Sequence, residues 1–270
     1  MKKSYALAGV MILAAVLLVM PVGAKAEMYV EAYLGGAFAG DAGDSSFRTN
    51  ITNTGIYNTG RLPGLAQPAV LGGLKVGTWF VKEGFLGANY PDWMKYLGFY
   101  LDFCYHRLDL KNQGFNMNQY NSSGVLTGQN MYEAKSEGTA ATLAFMFAAR
   151  YGFFPDSEVP LGRLQPYVAV GPAILFSTQE PTIYQKSATG TVTSVTDSGS
   201  QGSTDICLAV DAGLRYMALK NVSIDASFKY RWANPSYSYS GANSVSGPVT
   251  FKYEPTYNLF SFQLGAAYHF

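Results

Sequence analysis

The sequence predicts an all-β fold: a transmembrane up-and-down antiparallel β-barrel of eight strands behind an N-terminal export signal. Three observations predict it. The 270 residues are 48% hydrophobic and 15% aromatic but only 14% charged, which is a surface unlike that of most soluble enzymes. Apolar residues recur at every second position, the spacing of a strand and not of a helix. The alternating segments number eight, and most have the roughly ten residues that a tilted strand needs to cross hydrocarbon.

Composition excludes several classes before any motif is read. With 19 Lys+Arg against 18 Asp+Glu, the chain lacks the basic face that a nucleic-acid binder uses to neutralise phosphates, and no nucleic-acid partner is expected. Abundant Tyr and Phe with few charges exclude disorder. Two cysteines about a hundred positions apart, Cys104 and Cys207, exclude a disulfide-dense scaffold and a cysteine-cluster metal site.

Residues 1–26 have the form of a signal peptide. Lys2 and Lys3 give a positive start, Tyr5 to Met20 is uncharged and apolar, and the stretch ends in Ala24-x-Ala26, the small-residue pattern that signal peptidase reads. The apolar run is shorter than the roughly 18–20 residues of a spanning helix. Cleavage after Ala26 is expected, leaving one barrel domain over 27–270. Removal of Lys2, Lys3 and Lys25 leaves 16 basic and 18 acidic residues. No Cys follows the run, so lipoprotein processing is not expected.

The strand segments follow in order. Tyr29–Phe38 puts Val30, Ala32, Leu34, Gly36 and Phe38 on one face. Val70–Phe80 opposes Val70, Leu74, Val76 and Phe80 to Lys75 and Trp79. Tyr96–Leu108 opposes Leu97, Phe99, Leu101, Phe103 and Tyr105 to Gly98, Tyr100, Asp102, Cys104 and His106. Thr139–Tyr151 opposes Leu143, Phe145, Phe147 and Tyr151 to Thr142, Met146 and Arg150. Leu164–Phe176 aligns Val168, Val170, Ile174 and Phe176. Asp205–Ala218 opposes Leu208, Val210, Leu214 and Tyr216 to Asp211, Gly213 and Arg215. Val222–Trp232 opposes Val222, Ile224, Ala226, Phe228, Tyr230 and Trp232 to Asp225, Lys229 and Arg231. The last, Phe260–Phe270, opposes Phe260, Phe262, Leu264, Ala266, Tyr268 and Phe270 to Ser261, Gln263, Gly265, Ala267 and His269.

Soluble sandwiches also alternate, but their strands average about 5–6 residues. Here the apolar faces end in Tyr105, Tyr151, Tyr216, Trp232, Tyr268 and Phe270, the girdle expected where a barrel wall meets headgroups. Hydrocarbon cannot satisfy an open sheet edge, so the strands must close. Long polar connections (40–68, 109–137, 178–203, 233–256) alternate with shorter ones (82–94, 152–163, 219–221), as an up-and-down barrel with long extracellular loops requires. The 82–94 turn is longer than usual, with room for a short helix.

The stretches QPYVAVGPAI (165–174), LAVDAGLRYMALKNVSIDASFKYRW (208–232) and the final FSFQLGAAYHF resemble the outer-membrane β-barrel domain family, which includes small OmpA/OmpX-like eight-stranded barrels. The resemblance covers essentially all of 27–270 and implies a place in the bacterial outer membrane, in contact with its lipid. It further implies that Phe262, Leu264, Ala266, Tyr268 and Phe270 form the signal read by the barrel-assembly machinery, with Ala266 a weak member.

Parity points Glu31, Asp102, Asp205, Asp211 and Asp225 inward, opposed by Lys75, Arg150, Arg215, Lys229 and Arg231. A ring of eight strands about 4.8 Å apart, tilted near 40°, has a backbone diameter of roughly 16 Å. Side chains from both walls nearly fill that width, and unpaired charge there is costly, so bridges across the bore are expected. Cys104 and Cys207, inward on nearly opposite strands, are expected to be free buried thiols. His106 is the sole candidate general base, with no Ser fixed beside it, so no catalytic residue is assigned. No phosphate loop, zinc-type spacing or nucleophile elbow occurs, and no cofactor or metal is expected.

These readings favour a non-enzymatic structural or surface-interaction barrel acting through long polar loops on an unidentified ligand. The loops hold tyrosines suited to polar recognition, Tyr237 and Tyr239 among them, which fit strand extensions above the membrane equally well. The alternatives are a narrow porin-like channel for small or hydrophobic solutes and, more remotely, a rim enzyme acting on outer-membrane lipid.

Overall fold

The computed structural model describes residues 27–40, 45–50, 55–62, 64–81, 90–187, 190–243 and 247–270. The expected signal peptide and most of the 82–94 turn lie outside the described residues. Eight strands form the ring: β1 (Glu27–Ala39), β4 (Ala69–Trp79), β5 (Leu97–Arg107), β7 (Leu126–Arg150), β8 (Leu164–Lys186), β10 (Gln201–Leu219), β11 (Val222–Ala233) and β14 (Tyr257–His269). Each pairs antiparallel with its chain-order neighbour in the ring, and the seam from Tyr29–His269 to Ala39–Leu259 joins β1 to β14 and closes it. The expected eight-stranded closed barrel is what the chain forms.

The long connections are themselves mostly strand. β2 (Ser45–Asn50), β3 (Tyr57–Leu62), β6 (Leu110–Tyr120) and β9 (Val192–Asp197) join the upper halves of β7 and β8 in one continuous sheet, while β12 (Tyr237–Asn243) and β13 (Gly247–Tyr253) pair separately. A 3₁₀ turn, Asp92–Tyr96, leads into β5. Among the described residues no helix is long and apolar enough to cross a membrane.

Alternation places the residues in section. Ile206, Leu34, Phe147, Val168, Phe228 and Phe262 lie exposed on the outer wall, with Ile206 at 83% exposure, while Arg150, Asp211 and Lys229 are buried inside. Tyr105, Tyr151, Tyr216, Trp232, Tyr268 and Phe270 also face outward. In water such an apolar coat would cost about 25 cal/mol per Å²; in lipid it is the stable arrangement. Large inward rings fit because glycines face them. A Cβ on Gly73 or Gly213 would sit 2.3 or 2.5 Å from the ring of Tyr33 or Tyr167.

Candidate functional site

Among the described residues, the polar chemistry of this chain gathers in the bore, and it is built in layers. At the end carrying the short turns, Arg150 grips Glu27 through both oxygens (2.6 and 2.5 Å), donates to Gln165 Oε1 at 3.0 Å and stacks 4.1 Å over the Trp79 ring. His269 Nε2 meets Ser223 Oγ at 2.9 Å beside them. A cavity of about 650 Å³ opens below, lined in part by Glu27, Arg150, Gln165 and His269.

Above this layer lies an interlocked cluster. Lys75 Nζ lies 3.1 Å from Glu31, 3.5 Å from Asp211 and 3.7 Å from Asp225. Arg215 spans Glu31 (2.7 Å) and Asp225 (3.3 Å) while lying 4.2 Å over the Tyr29 ring. Tyr100 donates to Asp211 and Tyr167 to Asp225, both at 2.8 Å. Lys229 pairs with Asp102, which also accepts Tyr33 Oη at 2.5 Å. A carboxylate buried this deeply needs several donors, and each of these four has at least two.

Next comes Arg231, which donates to Cys104 Sγ at 2.7 Å and Thr142 Oγ1 at 3.2 Å. Cys104 and Cys207 are both free and buried. His106 is buried too, its Nδ1 2.8 Å from the Arg107 carbonyl. Over the end of the bore that carries the long connections sit Tyr237, Tyr239, Tyr253 and Tyr257, all buried. Tyr237 donates to Ser177 at 2.6 Å and Tyr239 to the Gln179 carbonyl at 3.2 Å. Tyr237 and Tyr239, read from the sequence as loop residues suited to recognition, are thus interior, because their arm of the hairpin folds across the bore.

Nine of the ten inward charges read from parity therefore lie buried in one polar column, and Asp205 is only half-buried, accepting Ser203 Oγ at 2.6 Å. Sequence reasoning missed Glu27, the tyrosine donors Tyr33, Tyr100 and Tyr167, and Tyr29, whose ring lies under Arg215. All share the inward parity of Glu31, Asp102 or Gln165, so the signal was present. Phe262, Leu264 and Tyr268 are exposed along the outer face of β14, with Phe270 just beyond it. Among the described residues no group of three His, Cys, Asp or Glu is placed to hold a metal ion.

The model of the outer membrane protein beta-barrel domain family matches residues 12–270. The chain belongs to this family. Membership places this barrel in the bacterial outer membrane. Solved structures similar to it include Neisserial surface protein A (14% identity, 90% of this chain and 97% of that one, TM-score 0.36). Others are a major outer membrane protein of Thermus thermophilus (14%, 91% and 100%, 0.48) and OprG of Pseudomonas aeruginosa (13%, 91% and 96%, 0.41). No curated protein sequence matches the barrel.

Proposed function

We propose that this barrel is a sealed, non-enzymatic outer-membrane protein that works at the cell surface through the sheet and hairpins at its outer end. In this reading it is exported by the 1–26 signal, cut after Ala26, and inserted by the assembly machinery through Phe262, Leu264, Ala266, Tyr268 and Phe270. One observation supports the proposal: nine of the ten expected inward charges are buried in the bore, and all of them but Arg231 lie in ion pairs, with a tyrosine cluster beyond them. Ions crossing such a bore would have to break several buried pairs at once, each costing several kcal/mol.

The test is electrical. The purified barrel in planar bilayers should give no large, steady single-channel conductance, and its vesicles should not swell in small sugars. A stable open level would instead favour a narrow channel. Deleting Phe270 tests the insertion step separately: outer-membrane levels should fall, and unchanged assembly would remove that role.

A further inference from the structure

The 152–163 turn begins with a residue that breaks two rules at once. Among the described residues, Phe154 is the one non-glycine with a left-handed backbone (φ 58°), a conformation that strains a bulky aromatic. Its side chain is also 72% exposed. The strand ladder shows what the strain achieves. β7 and β8 stay paired past Arg150: the Tyr151 N–H donates to the Pro166 carbonyl at 3.0 Å, and Phe153 and Leu164 exchange bonds of 2.8 and 3.2 Å. Tyr151 and Phe153 keep the outward parity of the exposed Phe147, so both rings lie on the lipid side. The next residue of a strand would point to the opposite face. The left-handed φ instead brings the Phe154 ring beside that of Phe153, their centroids 6.5 Å apart.

Tyr96, Tyr151, Phe153 and Phe154 thereby form one chain of ring contacts, at 5.8, 5.1 and 6.5 Å. It runs without a break from the lipid-facing wall onto the turn. The remainder of the turn is pinned and faces elsewhere. Asp156 accepts the Val159 and Glu158 N–H groups at 2.7 and 2.9 Å. The Arg163 guanidinium donates to the Met217 carbonyl, and the Arg163 N–H to the Phe154 carbonyl, both at 3.2 Å. Val159 is buried, and with Leu161 it lines the cavity at this end of the bore. Phe154 is thus held out on the lipid side by a turn whose other half faces the bore.

We propose that this turn is a membrane anchor: Phe153 and Phe154 insert into phospholipid at the boundary of headgroups and acyl chains, at the end of the barrel that carries the short turns. The patch is uncharged and continuous with the lipid-facing wall, aromatic rings favour that boundary, and apolar area leaving water there offsets the strained backbone. The test places 4-fluorophenylalanine at Phe154, or at the exposed Ser157 of the same turn as a control, in the full-length barrel in phosphatidylcholine nanodiscs. A nitroxide near the headgroup end of the acyl chain should broaden the fluorine signal at 154 more than a water-soluble gadolinium chelate does, and the order should reverse at 157. A second variant separates anchoring from strain. Asn tolerates the left-handed backbone, so strain relief alone would make Phe154→Asn neutral or stabilising. Loss of an anchor should instead lower the folding equilibrium constant in vesicles about tenfold. If Phe154→Asn fails to fold, the fluorine measurement decides. A signal at 154 broadened chiefly by the chelate, or a Phe154→Asn barrel as stable as wild type in vesicles, would overturn the anchor and leave the patch to a protein partner.

Discussion

Tyr167 illustrates how single residues hold the bore together: its ring lies against Gly213, and its hydroxyl both accepts from Lys75 at 3.2 Å and donates to Asp225 at 2.8 Å. A methyl group on Gly213 would meet that ring at 2.5 Å. Gly213→Ala should therefore push Tyr167 off two partners and cost about 1–3 kcal/mol, read as a lower urea midpoint of the refolded barrel. Gly202→Ala, where the new carbon meets only the Ser177 carbonyl at an ordinary 3.7 Å, should change little. A second residue sets a pH response outside the membrane. In the 152–163 turn, the Val159 N–H foremost, with the Arg163 guanidinium and the Glu158 N–H, holds the Asp156 carboxyl below the usual aspartate range. The folded carboxyl is thus harder to protonate than the unfolded one, so its contribution to the turn is full above the ordinary range and fades as pH falls through the lowered value. A ¹³C-carboxyl titration should give Asp156 a midpoint below that of a free aspartate, and Arg163→Gln should raise it. At this scale the sequence was informative about direction and not about partnership. Period-two parity told which way Lys75 or Asp211 points, but which carboxylate meets which cation depends on shear and on side-chain reach across the ring, and neither is local.

Among the elements, the hairpin joining β11 to β14 departs most from a simple loop. Pro235 and Pro255 fall opposite each other between the Ala233–Tyr257 and Tyr237–Tyr253 pairs. Neither brings an N–H, so the ladder breaks on both arms at one level and β12–β13 folds inward. Tyr237 stacks with Tyr253 and Tyr239 with Phe251 (centroids 6.0 and 4.7 Å), so the covering arm carries its own apolar face. The two native thiols below it report on this cover. In the folded wild type, Cys104 and Cys207 should resist a polar maleimide, and replacing residues 237–253 by a short Gly/Ser linker should make at least one of them label at least tenfold faster. Equal rates in the two proteins would mean that the hairpin does not close the mouth. The same region shows why the outer end was hard to read. β7 runs 25 residues and β8 23, far past the lipid-facing segments seen in the sequence. Beyond the lipid-facing belt, strands such as β6 have one exposed side and only a small core on the other, where Phe115 and Met117 pack. Two apolar residues at alternate positions in KNQGFNMNQY are a faint signal beside the six-residue stripe of Phe260–Phe270. The lipid belt was legible because hydrocarbon demands an unbroken apolar face; the polar extensions obey no such demand.

For the whole molecule, the question is whether the buried charges act as independent pairs or as one unit. Lys75 reaches three carboxylates, and Lys229 pairs with Asp102 while lying 3.9 Å from Asp211. Asp211 is therefore shared, and removing one charge is felt across the ring. A buried pair stripped of one partner typically costs about 3–5 kcal/mol, because the remaining charge stays desolvated, whereas removing both partners costs far less. Lys229→Met should accordingly destabilise the barrel strongly, leaving Asp102 with the Tyr33 hydroxyl as its close donor. Asp102→Asn alone should do the same from the other side, since Lys229 then has only the distant Asp211 as a carboxylate, with the neutral Gln263 Oε1 at 3.4 Å. The double variant keeps an acceptor for Tyr33 and removes both charges, so it should recover most of the loss, a coupling energy of about 1–3 kcal/mol. Urea unfolding of the refolded proteins in vesicles measures all four corners of this cycle. Strictly additive losses would show that the pair contributes nothing jointly and that packing alone fills the bore. A strong coupling accompanied by a leak in the single variants, and by no leak in the double, would tie the barrel's stability and its seal to the same set of bonds.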